Sequence, residues 1–333
     1  MAVNEPRQSG SEDDLNAAEG EGQPSTRRQV GLLPESGWMR RNLDYLRGSV
    51  LPTLARRREQ TPHGDFPVYE DIRVGEMELV WIGHASFLVR SRGFNALIDP
   101  VWAKWFGPIK RARDPGIALS DLPPIDLVLI SHAHFDHLCR KTLQKLRGDH
   151  PQTVVVPEGV GGIVDRIGFD KVIELGDWDS FEFRDTRISL TPAHHWGARY
   201  LHDTHRGFGG FVLESEDHCL YHSGDSAYFE GFQEIGRKFD IETAILPIGA
   251  YETPSGRDVH MDPDQAVQAF LDLSASWFVP MHHETFPLGN EKMEEPLHRL
   301  IEKVKAANIS ERLLTPREGQ QIVLPRGWRN PDA

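Results

Sequence analysis

The stretch ISHAHFDHL, residues 130–138, places three histidines and one aspartate within six positions. It follows directly on IDLVLI, residues 125–130, which reads as a strand that is apolar on both faces. The histidines therefore sit just past the C-terminal end of a buried strand, where open α/β sheets carry their ligand-binding loops. Side chains in extended chain alternate with a period of two, so His132 and His134 point the same way and can hold one cation. Asp136 and His137 come as the chain turns towards the next helix, and can face a second cation beside the first. Imidazole combined with carboxylate suits zinc, manganese or iron better than calcium or magnesium.

Outward from this loop the pattern is a mixture of strands and helices. MELVWIGHASFLVRS and FNALIDP read as strands joined by tight turns, TVVVPEG and KVIEL as further strands, and KTLQKLRG and GIVDRIG as short helices. FEFRDTRISLTPAHH, GGFVLES and HCLYHSGD form a second run of strands. Then come the helix FEGFQEIGRKF, the strand TAILPIGA, the helix DPDQAVQAFLDL capped by Asp262, the strand WFVPMHH, the amphipathic helix EEPLHRLIEKVKAAN and a last strand, QQIVLP. Strand runs mixed with strand–helix alternation predict an α/β fold of two sheets flanked by helices.

Two cations need more donors than residues 132–137 supply. TPAHHW offers His194 and His195, YHSGDSAY offers His222 and Asp225, and VPMHHETF offers His282 and His283. Each follows an apolar stretch, so each belongs on the same rim. Only one member of a histidine doublet can face inwards at a given strand end.

Composition narrows the classes. The chain has 333 residues, 39% of them hydrophobic, enough for one large domain with an arm. Its 37 basic and 50 acidic side chains give a net charge of −13, so no nucleic-acid partner is expected. Two cysteines, Cys139 and Cys219, make no disulfide framework and fit a reducing, cytoplasmic setting. Cys139 is expected to be a small buried thiol and Cys219 part of a core strand. There is no apolar run long enough to span a membrane, and the first 30 residues lack the apolar middle of a signal peptide. Residues 1–30 are polar and small, which predicts a disordered tail. Residues 31–75 read as an N-terminal arm of short helical pieces, 76–325 as the core, and 326–333 as a tail.

HAHFDH, the TPAHHW histidine, SGDS and the MHHETF histidine, in that order and spacing, are similar to the metallo-β-lactamase superfamily. WIGHASFLV, IDPVW, LPPIDLVLISHAHFDHL, SGDSAYFEGFQEIGRKF, AILPIGAYE, VHMDPDQAV and MHHETFPLGNE resemble the branch of N-acylphosphatidylethanolamine-hydrolysing phospholipase D and its bacterial relatives. The likeness covers about 79 to 325. It implies a four-layer αββα sandwich whose catalytic domain is the 76–325 core. It implies a first metal held by His132, His134 and His195, a second held by Asp136, His137 and His282, and Asp225 bridging them. His195 is preferred to His194 because it directly precedes Trp196, and His282 to His283 because it follows the strand immediately. His260, in VHMDPDQA, matches a family histidine placed near the substrate phosphate. His84 and Asp99 resemble supports that orient ligands. Between Asp99 and Lys110 the chain is shorter than the mammalian members, with WAKWFGP in that place.

The implied chemistry is metal-dependent hydrolysis. Two divalent cations, zinc in first place with manganese or iron as alternatives, lie about 3.5–4 Å apart in such sites and make water a nucleophile at neutral pH. Asp136 is expected to accept a proton and His260 to bond the phosphoryl oxygens. The leading expectation is a phospholipase D-type phosphodiesterase that cleaves N-acylphosphatidylethanolamine-like lipids to N-acylethanolamine and phosphatidic acid. The alternative is a lactonase of the ascorbate-phosphate lactonase type with the same metal site; a decayed, non-catalytic scaffold is the third reading, against which the full set of ligand-type residues speaks. The substrate is expected to be a phospholipid or a small phosphodiester. WAKWFGPIKRAR (102–113) and GWMRRNLDYLRGSVLPTLARRR (37–58) mix aromatics with basic residues, as suits peripheral contact with a membrane surface. The sequence leaves the oligomeric state open, a dimer included.

Overall fold

The alternation of apolar side chains decides how the strands stack. The computed structural model describes residues 72–327 except 92, 149–151, 201–202 and 253–257, together with 28–29, 43 and 46–51. A two-residue strand β1 (Arg28–Gln29) precedes β2 (Met77–Gly83). Met77, Leu79 and Trp81 of β2 enter one buried cluster, and Val80 and Ile82 enter another on the opposite face. β3 (Ser86–Ser91) and β4 (Phe94–Ile98) continue the sheet. After a small hairpin of β5 (Trp105–Phe106) and β6 (Ile109–Lys110) comes β7 (Leu127–Leu129), the strand that precedes the histidine loop. Leu127 and Leu129 point inwards with Leu79, while Val128 points outwards. Both faces are buried because one meets a second sheet and the other meets helices.

β8 (Thr153–Pro157) and β9 (Lys171–Leu175) complete a seven-stranded sheet, which closes on β17 (Gln321–Val323) in the order β17-β2-β3-β4-β7-β8-β9. Pairing is antiparallel from β17 to β4 and parallel from β4 to β9. The second sheet repeats this plan with six strands. β10 (Ser180–Phe183), β11 (Thr186–Thr191), β13 (Gly210–Glu214) and β14 (Cys219–His222) are antiparallel, and β15 (Thr243–Pro247) and β16 (Trp277–Met281) join in parallel. Ile188, Leu190, Phe211, Leu213, Ile245 and Val279 face the first sheet across the inner core. Each such buried side chain contributes about 1.5–3 kcal/mol.

Helices α1 (Arg140–Leu146) and α2 (Gly161–Val164) cover the first sheet with Leu143, Leu146 and Val164. Helices α3 (Gly231–Lys238), α4 (Pro263–Asp272) and α5 (Glu295–Ala306) cover the second with Phe232, Phe270 and Leu300. The expected cap of α4 is a full capping box: Asp262 accepts the Gln265 N–H at 2.8 Å and Gln265 accepts the Asp262 N–H at 3.1 Å. The result is the four-layer αββα sandwich. Among the described residues no helix is long and apolar enough to cross a membrane.

The topology brings the chemistry-bearing residues to one rim. β4 ends before Asp99, β7 before the 131–138 loop, β14 before Asp225, β15 before Ala250 and β16 before His282. The turn between β2 and β3 carries His84.

Several expectations are corrected. The strand read through TPAHH stops at Thr191; His194–His195 form a separate short strand, β12, parallel to β1. Arg28–Gln29 thus lie in a strand although the sequence reads 1–30 as tail. The rest of that tail, most of the 31–75 arm and residues 328–333 lie outside the described residues. Cys139 is half-buried at the start of α1 rather than a buried thiol. Cys219 is buried as expected, and burial pushes its thiol up to about 12.

The aromatic–basic stretch 102–113 is mostly framework. Arg111 is fully buried and donates to three carbonyls, Arg113 at 2.8 Å, Val101 at 2.9 Å and Ile82 at 3.3 Å. A planar guanidinium with five donors can satisfy such a carbonyl cage, which a surface reading of the sequence misses. Arg113 pairs with Glu284 at 2.8 Å and Glu318 at 3.3 Å. Trp102 is half-buried with its indole N–H on Ile117 O at 2.7 Å. Trp105 remains exposed, with the Lys110 ammonium 5.8 Å from its ring centre.

Candidate metal centre

The loop after β7 folds tightly. The N–H groups of His137 and Leu138 both bond the His134 carbonyl, at 3.2 and 2.8 Å, which swings Asp136 and His137 round behind His132 and His134. Arg199 staples the loop by donating to Ala133 O at 2.6 Å and Leu138 O at 2.9 Å. Its guanidinium lies over the Phe135 ring at 3.9 Å.

Asp225 stands at the middle of the rim. Its Oδ2 lies 3.1 Å from His137 Nε2, 3.2 Å from His282 Nε2, 3.8 Å from His132 Nε2 and 3.9 Å from His195 Nε2. On one side His132, His134 and His195 converge, with His132 Nε2 and His134 Nδ1 2.9 Å apart and His195 Nε2 3.3 Å from His134 Nδ1. On the other, Asp136, His137 and His282 converge, joined by His84. Asp136 Oδ2 lies 3.7 Å from both His137 Nε2 and His282 Nε2. All seven residues anticipated as ligands are thus brought together around one centre. His260 joins them from the segment before α4, with Nε2 3.2 Å from Asp225 Oδ2.

Most of these rings are aimed by their outer nitrogen. His132 Nδ1 is bonded to Ser131 Oγ at 2.9 Å and His137 Nδ1 to Asp99 Oδ2 at 2.7 Å. His195 Nδ1 meets Val259 O at 3.0 Å, and His260 Nδ1 meets Ala250 O at 3.0 Å. Tying Nδ1 outwards leaves each Nε2 facing the centre, the arrangement that orients histidines on cations. Asp99 serves two of them, because its Oδ2 also accepts the Ser131 hydroxyl at 2.6 Å while Oδ1 accepts the Ser131 N–H at 2.7 Å.

His134 Nε2, His137 Nε2, both ring nitrogens of His282 and Asp225 Oδ1 are buried with no hydrogen-bond partner. Buried polar atoms left in that state are costly. Carboxylates and bare imidazole nitrogens facing one another are the donor set for divalent cations of the zinc, manganese and iron kind, so the residues fit such ions. The charge pattern agrees. Burial opposes the charge on Asp225, but His137 and His282 hold its carboxyl well below the usual range. Burial likewise opposes the charge on Asp136, which the neighbouring His137 and His282 and the bond from His84 hold well below normal. Against burial, Asp225 raises His282 to about 9 and raises His137 well above the imidazole range. Burial drives His132 and His195 well below it and His134 to about 4. The two carboxylates thus favour positive charge at the centre, which is what bound cations would supply.

The remaining singled-out residues separate clearly. His84 bonds Asp136 Oδ2 through Nε2 at 3.1 Å, and burial together with His282 pushes its pKa down to about 3, so the neutral ring donates. His222 is fully buried outside the cluster: Nε2 meets Ala85 O at 3.1 Å and Nδ1 accepts the Gly224 N–H at 3.1 Å. His283 stacks on Trp81 at 4.8 Å, and His194 turns its ring towards Phe229. Reading residues alone missed Ser131, the Val259 and Ala250 carbonyls and Arg199. Only Ser131 carried a signal, since it directly precedes the first histidine.

Four non-glycine residues around the centre hold positive φ: His84 at 58°, Asp99 at 44°, Ala250 at 60° and His282 at 61°. Strained backbone of this kind gathers at functional sites. Gly249 carries no side chain for a concrete reason: a Cβ there would collide with the His282 carbonyl oxygen.

Comparison with known proteins follows this geometry. Residues 95–283 match the protein-family model described as Beta-lactamase superfamily domain. A Mycobacterium tuberculosis protein, itself uncharacterised, is 32% identical over 84% of this chain and 78% of its own. The N-acyl-phosphatidylethanolamine-hydrolyzing phospholipase D 1 of Caenorhabditis elegans is 34% identical over 68% of this chain and 69% of its own. Among solved structures, Igni18, a novel metallo hydrolase from the hyperthermophilic archaeon Ignicoccus hospitalis, aligns with a TM-score of 0.57 at 25% identity. That alignment covers 75% of this chain and 99% of the archaeal one.

Proposed function

For a chain that belongs to the β-lactamase superfamily of metal-dependent hydrolases, we propose a dinuclear phosphodiesterase of phospholipase D type, acting on N-acylphosphatidylethanolamine-like diesters. We assign its catalytic unit to 76–325. The observation that carries the reading is Asp225 Oδ2, within 3.1–3.9 Å of five imidazole nitrogens, those of His132, His137, His195, His260 and His282, that come from four separate segments. His132, His134 and His195 would hold one cation, Asp136, His137 and His282 the other, and Asp225 would touch both. Bound there, two divalent cations, zinc foremost, supply Lewis-acid polarisation of the phosphoryl group and acidify water.

The chain's own residues do the rest. Neutral His84 donates to Asp136 and keeps it a carboxylate, so Asp136 can take the proton of the attacking water. His260, with Nδ1 on the Ala250 carbonyl, turns Nε2 to where phosphoryl oxygens would lie. When protonated at Nε2 it donates to them or to the departing oxygen. Phe135 and Trp105 give exposed apolar surface that suits a lipid-like group. One observation favours the lactonase reading instead: burial of Arg111 and pairing of Arg113 remove charge from the surface expected to meet lipid.

The test is turnover by the zinc-loaded protein on N-acylphosphatidylethanolamine vesicles, bis(para-nitrophenyl) phosphate and a sugar-acid lactone. The proposal expects release of N-acylethanolamine and phosphatidic acid, and cleavage of the soluble diester. Lactone opening with both diesters untouched would replace it by the lactonase reading.

A further inference from the structure

Loop 249–252, after β15, makes an unusual bond to the carboxylate of Glu291, the last residue of MHHETFPLGNE. Ala250 stands at φ 60° in the left-handed region, which costs a non-glycine residue on the order of 1 kcal/mol. Something must hold it there. Half-buried Glu291 does so with both oxygens, Oε1 accepting the Ala250 N–H at 2.5 Å and Oε2 the Glu252 N–H at 3.2 Å. A turn whose N–H groups converge in this way is an anion-binding nest, and here the anion is the chain's own side chain. A third bond, Asn290 N–H to Glu252 O at 3.0 Å, ties the two segments together from the other direction. The consequence lies on the far side of the Ala250 peptide. With its N–H drawn to Glu291, the residue turns its carbonyl to His260 Nδ1 at 3.0 Å, and His260 Nε2 then lies 3.2 Å from Asp225.

We propose that Glu291 is a positioning residue for His260: its carboxylate sets the Ala250–Glu252 turn, and the turn aims the His260 ring at the reacting centre. The inference rests on the reading that His260 contacts substrate. Glu291 itself lies one side of the loop and His260 the other, so the effect passes through the main chain of Ala250. A carboxylate is required because two N–H groups converge on it. An amide offers one acceptor oxygen and sets its NH2 against the second N–H.

A double-mutant cycle separates this from a role in general stability. Glu291→Ala is expected to lower kcat/KM on bis(para-nitrophenyl) phosphate about tenfold, since misplacement of an aimed group by a fraction of an ångström carries penalties of that order. Bound zinc, measured by atomic absorption, stays unchanged. In a His260→Ala background the same substitution changes kcat/KM less than about twofold, because the ring it aims is gone. Glu291→Gln, which keeps the side-chain shape and one acceptor, falls between Glu291→Ala and wild type and serves where the alanine variant does not fold. A second readout needs no turnover: the hydrogen-bonded Nδ1–H proton of His260 in ring-selective NMR, present in wild type, shifts or exchanges away in the Glu291 variants. An equal loss from Glu291→Ala with and without His260, or an unmoved Nδ1–H signal, overturns the proposal. If His260→Ala itself leaves diester turnover intact, the reading of His260 as a substrate contact fails, while the ring-proton measurement still decides whether Glu291 positions it.

Discussion

The two sheets feed the centre in different ways. The first delivers His132, His134, Asp136 and His137 from one loop of six residues, and orients them with side chains: Ser131, Asp99 and His84. The second delivers His195, Asp225, His260 and His282 from four separate places. It orients two of them with main-chain carbonyls, Val259 for His195 and Ala250 for His260. A side-chain support can be deleted by one substitution. A carbonyl support survives any substitution at its own residue that leaves the backbone in place. The first half should therefore be fragile to mutation of its supports and the second robust, except at the residues that set its loops.

Asp225→Ala tests whether the halves are joined at all, and the largest effect is expected there. Asp225 Oδ2 faces His132 and His195 on one side and His137 and His282 on the other. Its loss should release about one metal equivalent and reduce hydrolysis more than about a hundredfold, because a bridging carboxylate helps hold both cations. Metal analysis beside turnover provides the check. A variant that keeps two equivalents and most of its activity would mean that the halves bind independently, and the bridging assignment would fall.

Asp99→Asn and Ser131→Ala divide the first half from within. The Asp99 carboxylate supports His137 directly and His132 through Ser131. An asparagine amide set against the His137 Nδ1–H or the Ser131 hydroxyl replaces an acceptor with a donor. Asp99→Asn should weaken both sites, by about 10–100-fold in affinity, as losing the outer partner of a ligating histidine does. Ser131→Ala should weaken only the site that contains His132, and by the lower end of that range. Competition with a chromophoric chelator gives the two affinities separately. Equal losses at both sites from Ser131→Ala would show that the serine acts on the whole loop rather than on one ring.

The same contrast explains which parts of the molecule are legible in its residues. The strand before the loop was legible because Leu127, Val128 and Leu129 are apolar whichever way they point, and both faces of that sheet are covered. Its ligand cluster was legible because its members are contiguous and alternate with the period of extended chain. In the second half the residues alone leave a choice at His194/His195 and His282/His283, chemically identical doublets that only the resemblance resolves. His282 adopts φ 61°, and nothing in a non-glycine residue announces that. Arg111 reads as surface because a guanidinium in a stretch with lysines looks solvated, whereas the carbonyls of Arg113, Val101 and Ile82 enclose it. Glu291 and Ala250 lie 41 positions apart in sequence, and their bond depends on a turn conformation that no periodicity encodes.

The smallest expected effect is at His194, and it tests the second half at its most ambiguous point. His194 and His195 form one short strand, so their side chains leave on opposite sides. His195 Nε2 faces Asp225, while the His194 ring lies edge-on to Phe229 with centres 6.5 Å apart. The bonds that fix the His194 backbone, its N–H to Ser226 Oγ and its carbonyl from the Ala227 N–H, survive truncation of the ring. His194→Ala should leave metal content intact, turnover within about twofold, and stability within about 1 kcal/mol, as measured by chemical unfolding. His195→Ala, one residue along, should empty one site. Because a slip of one residue exchanges the two faces of a strand, the pair is a direct test of register. Metal loss from His194→Ala with His195→Ala silent would mean that β12 is seated one residue out of place. His195 would then leave the ring of nitrogens around Asp225, and the group of three imidazoles on that side would have to be rebuilt with His194.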